Sequence, residues 1–424
     1  MSNVFKSWLS KAKNPACLLG AVTLMMLMIP ARLAVTGSTA SVAAQDEVCL
    51  EVLADGVPAT STAQAVATGD FNEDGHMDLA VVAHLPLVPE RGLVILQGTG
   101  SGEFAPVEYL PVGDHNHGVI TADLNQDGHM DVATSTSIRP NPTVETNVEH
   151  LFFGDGTGHF PRHDVLSMDV KVGPLDVQAA DLNKDGTLDL VLAGAGDEQV
   201  GVLLGDGTGA FGPPRFFGGG LLSTRASAIA DFNNDGNPDI VVTNEYRRFV
   251  TLFLGDGTGQ FRPSEKFLAG SGPRSIVAAD FDGDGNQDMA ATNRTSNDAS
   301  IMFGDGRGGF SQSQDIRVGR DPRTVVAGDF NNDGRMDIAV TSALFQSVTL
   351  LLGDGRRNFS PANFIRVGDA PVRHRRLNPV KGPTDVGDGI VGLAAADIDG
   401  DGDLDLAATS TFDGHVYILM NRCQ

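Results

Sequence analysis

The chain has 424 residues, 41% of them hydrophobic, with 52 glycines and a formal net charge of −24. Acidity on that scale argues against nucleic-acid binding, because the phosphate backbone repels it. The length allows two or three average domains or one large all-β ring, and the glycine share points to many turns.

The first predicted element is a leader over residues 1–44. Lys6, Lys11 and Lys13 form a basic start, Ala16 to Ile29 is uncharged and largely apolar, and Val42-Ala43-Ala44 fits a small-x-small cleavage site. The apolar run is shorter than the ~20 residues a membrane span needs. The expectation is an exported protein with a cleaved signal peptide, an uncleaved N-terminal anchor being the alternative. Cleavage removes four basic residues and no acidic one, taking the charge from −24 to −28, and it removes the single tryptophan, Trp8. No second apolar run follows, so the mature chain, 45–424, carries no predicted membrane span.

Val48 to Leu53 reads as a lone β-strand. After it, the pattern D-x-[DN]-x-D-G-x-x-D occurs seven times, starting at Asp70, Asp123, Asp181, Asp231, Asp280, Asp329 and Asp397. Short β-type runs flank each copy, and a segment such as VTLFLGDGTGQF follows most of them. Each repeat therefore reads as four antiparallel strands, with the nine-residue loop between the first and second. Four strands per ~50 residues is the mark of a propeller. The predicted fold is all-β, a seven-bladed propeller in which the N-terminal strand completes the last blade. An open solenoid and a string of separate modules are the alternatives, disfavoured by repeat length and by the lack of linkers. Cys49 and Cys423, the only cysteines beyond the leader, would then lie on neighbouring strand ends, and a disulfide between them is expected. Two free thiols are the other possibility.

The loops carry the clearest chemistry. Ca²⁺ takes six to eight oxygen ligands in a loop that wraps it. Positions 1, 3, 5 and 9 supply side-chain oxygens, position 7 its backbone carbonyl, and the glycine at position 6 allows the reversal. The expected ligands are Asp70, Asn72, Asp74, His76 and Asp78, then Asp123, Asn125, Asp127, His129 and Asp131, then Asp181, Asn183, Asp185, Thr187 and Asp189. They continue with Asp231, Asn233, Asp235, Asn237 and Asp239, and with Asp280, Asp282, Asp284, Asn286 and Asp288. The last two sets are Asp329, Asn331, Asp333, Arg335 and Asp337, and Asp397, Asp399, Asp401, Asp403 and Asp405. An EF-hand would need Glu at position 12 between helices, but Val81 and Thr134 stand there in the first two copies and the flanks are strands. Plain polar turns are the bland alternative. However, positions 1, 3, 5 and 9 hold 23 carboxylates in all, and without a cation these repel one another. Up to seven Ca²⁺ are expected, and Mg²⁺ suits so many protein ligands less well.

The strand–DFNxDGxxD–strand–LLGDGxGxF unit resembles the FG-GAP/VCBS repeat, the unit of the integrin α-chain propeller and of many bacterial exported proteins. The resemblance covers about residues 48–423. It implies that the calcium loops lie on the lower face and that ligand contacts lie on the upper one. Family members act in adhesion and in matrix or sugar binding, and occasionally as enzymes, so function does not transfer with the fold.

On that orientation, the residue six before each first aspartate lines the upper rim: Gln64, His117, Leu175, Arg225, Arg274, Arg323 and Val391. The insertion before the last repeat adds Arg373, His374, Arg375, Arg376 and Lys381, and the connections between second and third strands add Arg247, Arg248 and Arg294. Such a rim suits an anionic ligand through bidentate arginine contacts, unless the arginines pair with local carboxylates. His115 and His117 hint at a metal site but show no third ligand. No nucleophile motif or phosphate loop occurs. With Tyr109, Tyr246 and Tyr417 the only tyrosines and no tryptophan left, sugar-stacking platforms are scarce. The expected function is a monomeric calcium-binding module for an extracellular protein or an anionic polysaccharide, and not an enzyme. The alternatives are a polysaccharide-active enzyme and a lectin on the same propeller.

Overall fold

Alternating small apolar runs of six or seven residues, each ended by an Asp-Gly loop, fold here as short twisted strands. A computed structural model describes residues 48–53, 56–84, 92–113, 115–136, 148–167, 173–194, 199–218, 224–368 and 389–422. The leader, the Arg373–Lys381 insertion and Cys423 lie outside the described residues.

Asp46–Gln424 forms one unit of seven antiparallel sheets. The innermost strands are Ala63–Gly69, Asn116–Ala122, Pro174–Ala180, Thr224–Ala230, Pro273–Ala279, Pro322–Gly328 and Ile390–Ala396. Each packs against the next, and the seventh packs against the first, so the ring is closed. Blades one to six run outward in chain order through four strands. Blade seven takes its outer strand from the start of the chain: Leu50–Val52 and Val57–Pro58 both pair with His415–Asn421. The lone strand predicted over Val48–Leu53 is thus found as Leu50–Val52, and a second short piece, Val57–Pro58, extends the pairing beyond it. The Arg422 amide donates to the Cys49 carbonyl at 3.3 Å, continuing that pairing to the last described residue.

The core is distributed rather than central. Seven apolar clusters each join two neighbouring blades. Position 2 of every loop (Phe71, Leu124, Leu182, Phe232, Phe281, Phe330 and Ile398) is buried in the junction with the following blade. There Phe71 meets Phe160 and Phe281 meets Phe359, edge to face at 5.5 and 5.8 Å. Burying a phenylalanine this way stabilises by about 1.5–3 kcal/mol, so the apolar partner built into each acidic loop glues blade to blade. Among the described residues no helix is long and apolar enough to cross a membrane.

Candidate calcium loops and rim

Each loop is tied by its own carboxylates. In the first copy, the Asp74 and Gly75 amides donate to Asp70 at 3.1 and 2.9 Å, and the His76 amide donates to Asp74 at 2.9 Å. Position 9 does something else. Asp78 is 1% exposed; its oxygens accept the Phe71 amide at 3.0 Å and the Gly98 amide at 2.8 Å. It therefore clamps the loop to the end of the third strand, and Asp131, Asp189, Asp239, Asp288, Asp337 and Asp405 repeat the clamp. The clamped residue is glycine in six blades, where a Cβ on Gly255, for example, would stand 2.1 Å from the Pro238 carbonyl, and Asn421 in the seventh.

Burial pushes these position-9 carboxyls up, the two backbone donors oppose it, and the charges of the loop's other aspartates add to it. Asp78, Asp131, Asp239, Asp288 and Asp405 rise to about 6 and Asp337 to about 7. A carboxylate held partly out of water beside two others is a site that a cation relieves. In the fifth and seventh loops, where position 3 is aspartate, Asp280, Asp282 and Asp288, and likewise Asp397, Asp399 and Asp405, each bring an oxygen within 4.8 Å of the other two. Asp399 Oδ1 is buried with no hydrogen-bond partner among the described residues. These donors are all hard oxygens, so the set fits Ca²⁺.

Position 4 carries a feature not foreseen from the sequence. Glu73, Gln126, Lys184, Asn234 and Asn332 have left-handed backbones there, and four of them reach the next loop. Glu73 meets His129 at 2.5 Å, Gln126 donates to the Gly186 carbonyl at 2.5 Å, Asn234 donates to Asn286 at 2.8 Å, and Asn332 donates to Asp403. Neighbouring loops are therefore mechanically linked. Arg335 turns its side chain back to Asp333 at 3.0 Å.

At the opposite ends of the innermost strands, all seven residues counted back from the loops line one central cavity of about 550 Å³: Gln64, His117, Leu175, Arg225, Arg274, Arg323 and Val391. That volume lies within the range of small-molecule sites. Every one of them sits at a β-bulge, for example between Asn116 and Gly118 or between Pro273 and Ile276. A bulge re-aims side chains at a rim, and the sequence pattern did not show it.

The arginines are not free hooks. Glu245 stands 3.9 Å from Arg225, 3.4 Å from Arg274 and 3.1 Å from Arg294. Asp321 stands 3.0 Å from Arg294 and 2.9 Å from Arg323. Four guanidiniums thus share two carboxylates across blades four to six, and Arg274 and Arg323 are 6% and 2% exposed. The ladder ties the rim of blades four to six together. Facing it in the cavity, Asp176 accepts the Ser227 amide and hydroxyl at 2.8 and 2.7 Å, and burial pushes its carboxyl up to about 6. Glu245 was missed because it lies 20, 29 and 49 residues in sequence from the arginines it serves, and Asp321, only two residues before Arg323, because its second partner Arg294 comes from the neighbouring blade.

The family model of the FG-GAP-like repeat matches residues 181–242, 231–291 and 280–340. No curated protein matches the chain. Among solved structures it is similar to BBS1N in complex with ARL6DN, at 13% identity over 88% of this chain and 97% of that one, with a TM-score of 0.58. It is also similar to an Agrocybe aegerita lectin described as recognising non-reducing terminal N-acetylglucosamine, at 18% identity over 72% of this chain and 80% of that one, with a TM-score of 0.50. At such identities the likeness is one of fold. The three matches lie within a closed ring of seven blades that all carry the same loop, so the chain is a seven-bladed β-propeller that contains FG-GAP-like repeats.

Proposed function

We propose that the protein is an exported calcium-binding propeller whose rim binds an anionic partner, either an extracellular protein or an acidic polysaccharide. The observation that carries this reading is the cavity rim of blades four to six, where four arginines are gathered and held in place by ion pairs to Glu245 and Asp321. Guanidiniums already fixed by ion pairs lose little freedom when an anion docks. In the loops, Ca²⁺ would be held by the aspartates and asparagines of positions 1, 3, 5 and 9 and would serve the scaffold. The likeness to an N-acetylglucosamine-recognising lectin makes glycans part of the test.

The test is an array of glycans and matrix proteins probed with the calcium-loaded chain. Binding to sulfated or carboxylated members that weakens with salt is the expected result. Uncharged glycans binding equally well would sink the anionic reading in favour of a neutral-sugar lectin, and turnover of an arrayed polysaccharide would sink the view that the protein only binds.

A further inference from the structure

In blades one to five the hairpin between the third and fourth strands holds a left-handed glycine at one fixed place: Gly102, Gly158, Gly209, Gly259 and Gly308, with φ between 72° and 82°. Blade six has Arg357 there, at φ 72°. A residue other than glycine is strained in that region and persists only where its surroundings hold it. Here they do. Arg357 Nε donates to Asp282 at 2.5 Å, Nη2 lies 3.5 Å from Asp284, and the guanidinium carbon lies 5.0 Å from the centre of the Phe303 ring. Asp282 and Asp284 are positions 3 and 5 of the fifth loop. We propose that Arg357 is a built-in counter-ion of the fifth loop, which an incoming Ca²⁺ must displace, so that this loop exchanges a bridge between blades five and six for the ion and binds it more weakly than its four aspartates otherwise would.

The fold itself aims this place at the preceding blade's loop. The Gly158 and Gly308 amides donate to the carbonyls of Phe71 and Phe232, position 2 of the loops of blades one and four, at 2.8 and 3.1 Å. A Cβ on Gly158 would meet the Asn72 Cβ at 3.4 Å, and one on Gly308 would come within 3.8 Å of the Asn233 Cβ. Both asparagines are position 3, the position of Asp282 in loop five. A side chain placed here therefore meets position 3 of the neighbouring loop, and among the described hairpins of this kind only that of blade six has one.

The chemistry of loop five matches the arginine. In loops one to four and six, position 3 is asparagine, and its amide donates to the position-5 aspartate at 2.8–3.0 Å. Asp282 has no proton to give, so two carboxylates stand where the other loops have an amide and a carboxylate. The guanidinium supplies the missing donors and one positive charge. With it in place the four aspartates of loop five carry the net charge of an asparagine loop. Ligand charge tunes calcium affinity in such loops, so the arginine and the ion compete for the same carboxylates. The loop stays able to close on an ion, because Asp280, Asp282 and Asp288 each bring an oxygen within 4.8 Å of the other two. The arginine is the partner free to move: its side chain is 51% exposed against 4% for Asp282, and it lines a cavity of about 500 Å³ with Glu265, Phe267 and Asp305. Loop seven is the contrast. It also has aspartate at position 3, but blade one, next to it in the ring, keeps Gly102 at the arginine's place, and Asp399 Oδ1 is buried with no hydrogen-bond partner among the described residues.

The inference rests on the calcium reading of the loops, and the test keeps the two apart. The full chain, stripped by chelator, is titrated with Ca²⁺ alone by calorimetry beside Arg357→Gly, the residue that five other blades carry and that suits the left-handed backbone. The expected result is an equal number of ions bound, with one site tightened at least about tenfold in the variant, because charge at the site sets affinity over decades. Melting separates displacement from bracing. In chelator the variant should melt below its parent, having lost the counter-ion between crowded carboxylates. In saturating calcium, where Arg357 is displaced in the parent, the two should melt together. Should the glycine variant fail to fold by circular dichroism, Arg357→Asn removes the charge with a residue that also tolerates the left-handed region. The same affinities at every site in parent and variant overturn the proposal and leave the calcium reading standing. So does a melting gap of the same size with and without calcium, which would make Arg357 a brace between blades. Calcium binding in neither chain overturns the calcium reading and the proposal with it.

Discussion

The two ends of the innermost strands have the same backbone seven times over and treat it in opposite ways. At the loop end the side chains repeat as well: every blade has the amide-to-carboxylate turn and the buried position-9 clamp, from Asp78 to Asp405. At the rim the bulge recurs, but the residue it presents changes from Gln64 to His117 to Leu175 to three arginines to Val391. The clamp holds each strand from below in the same way seven times, whereas the rim is held differently from blade to blade. The arginine ladder of blades four to six and the packing of His84 against His115 and His117 at the junction of blades one and two are two uses of one set of positions.

Removing the cation should break this contrast most severely. Chelation leaves each loop with three or four carboxylates crowding a position-9 aspartate that is held out of water. A ligand that binds only the folded chain at 100 times its Kd contributes about 2.7 kcal/mol per site. With seven loops, the melting temperature of the chelated protein should fall by roughly tens of degrees. Scanning calorimetry with and without calcium measures it, and coincident melts would mean that the loops are polar turns and the repeated end is not a metal scaffold.

A smaller effect is expected at the varied end. Glu245→Gln leaves Arg225, Arg274 and Arg294 facing one another with a neutral amide between them. Breaking a largely buried ion-pair set costs about 3 kcal/mol, read as a lower urea midpoint at unchanged slope. The same variant makes the rim more positive, so any array member bound through anionic groups should bind it more tightly. Weaker binding instead would show that Glu245 positions the arginines and that the ladder, rather than its net charge, is the recognition element.

Much of this architecture was legible in the sequence because its information is local. Nine residues in a row specify a loop, and counting six back from Asp231, Asp280 or Asp329 finds the rim. What stayed hidden lies between blades. Glu245 serves Arg274, Glu73 reaches His129 and His84 packs at a tilt against His117, each pair separated by some tens of residues yet adjacent across a junction. A register signal did exist: fourteen residues after the first aspartate the repeats read His84, Glu245 and Arg294, and eight before it they read His115 and Asp321. Charged and imidazole residues stand in columns that elsewhere hold small residues: Ser137, Ala195, Ala343 and Thr411 in the first, and Thr62, Gly173, Ser223, Gly272 and Gly389 in the second. The bulges had no such signal, because they depend on pairing with the second strand.

The smallest effect tests a residue that neither pattern explains. Glu149, on the third strand of blade two, is fully buried opposite Ser135 and Leu166, and neither of its oxygens has a partner among the described residues. Burial pushes its carboxyl well above the usual range, and the charge of Asp176 pushes in the same direction. A folded-state value raised above the unfolded one, about 4.3, means that stability is fully present below that unfolded value. It is lost as pH rises toward the folded value, at about 1.4 kcal/mol per pH unit. Glu149→Gln removes the titration and also relieves Asp176. The variant and its parent should therefore melt together at pH 4 and separate as pH rises, the variant being roughly a few degrees more stable at pH 7. A parallel pair of melting curves across that range would mean that the Glu149 carboxylate is already compensated in the folded ring.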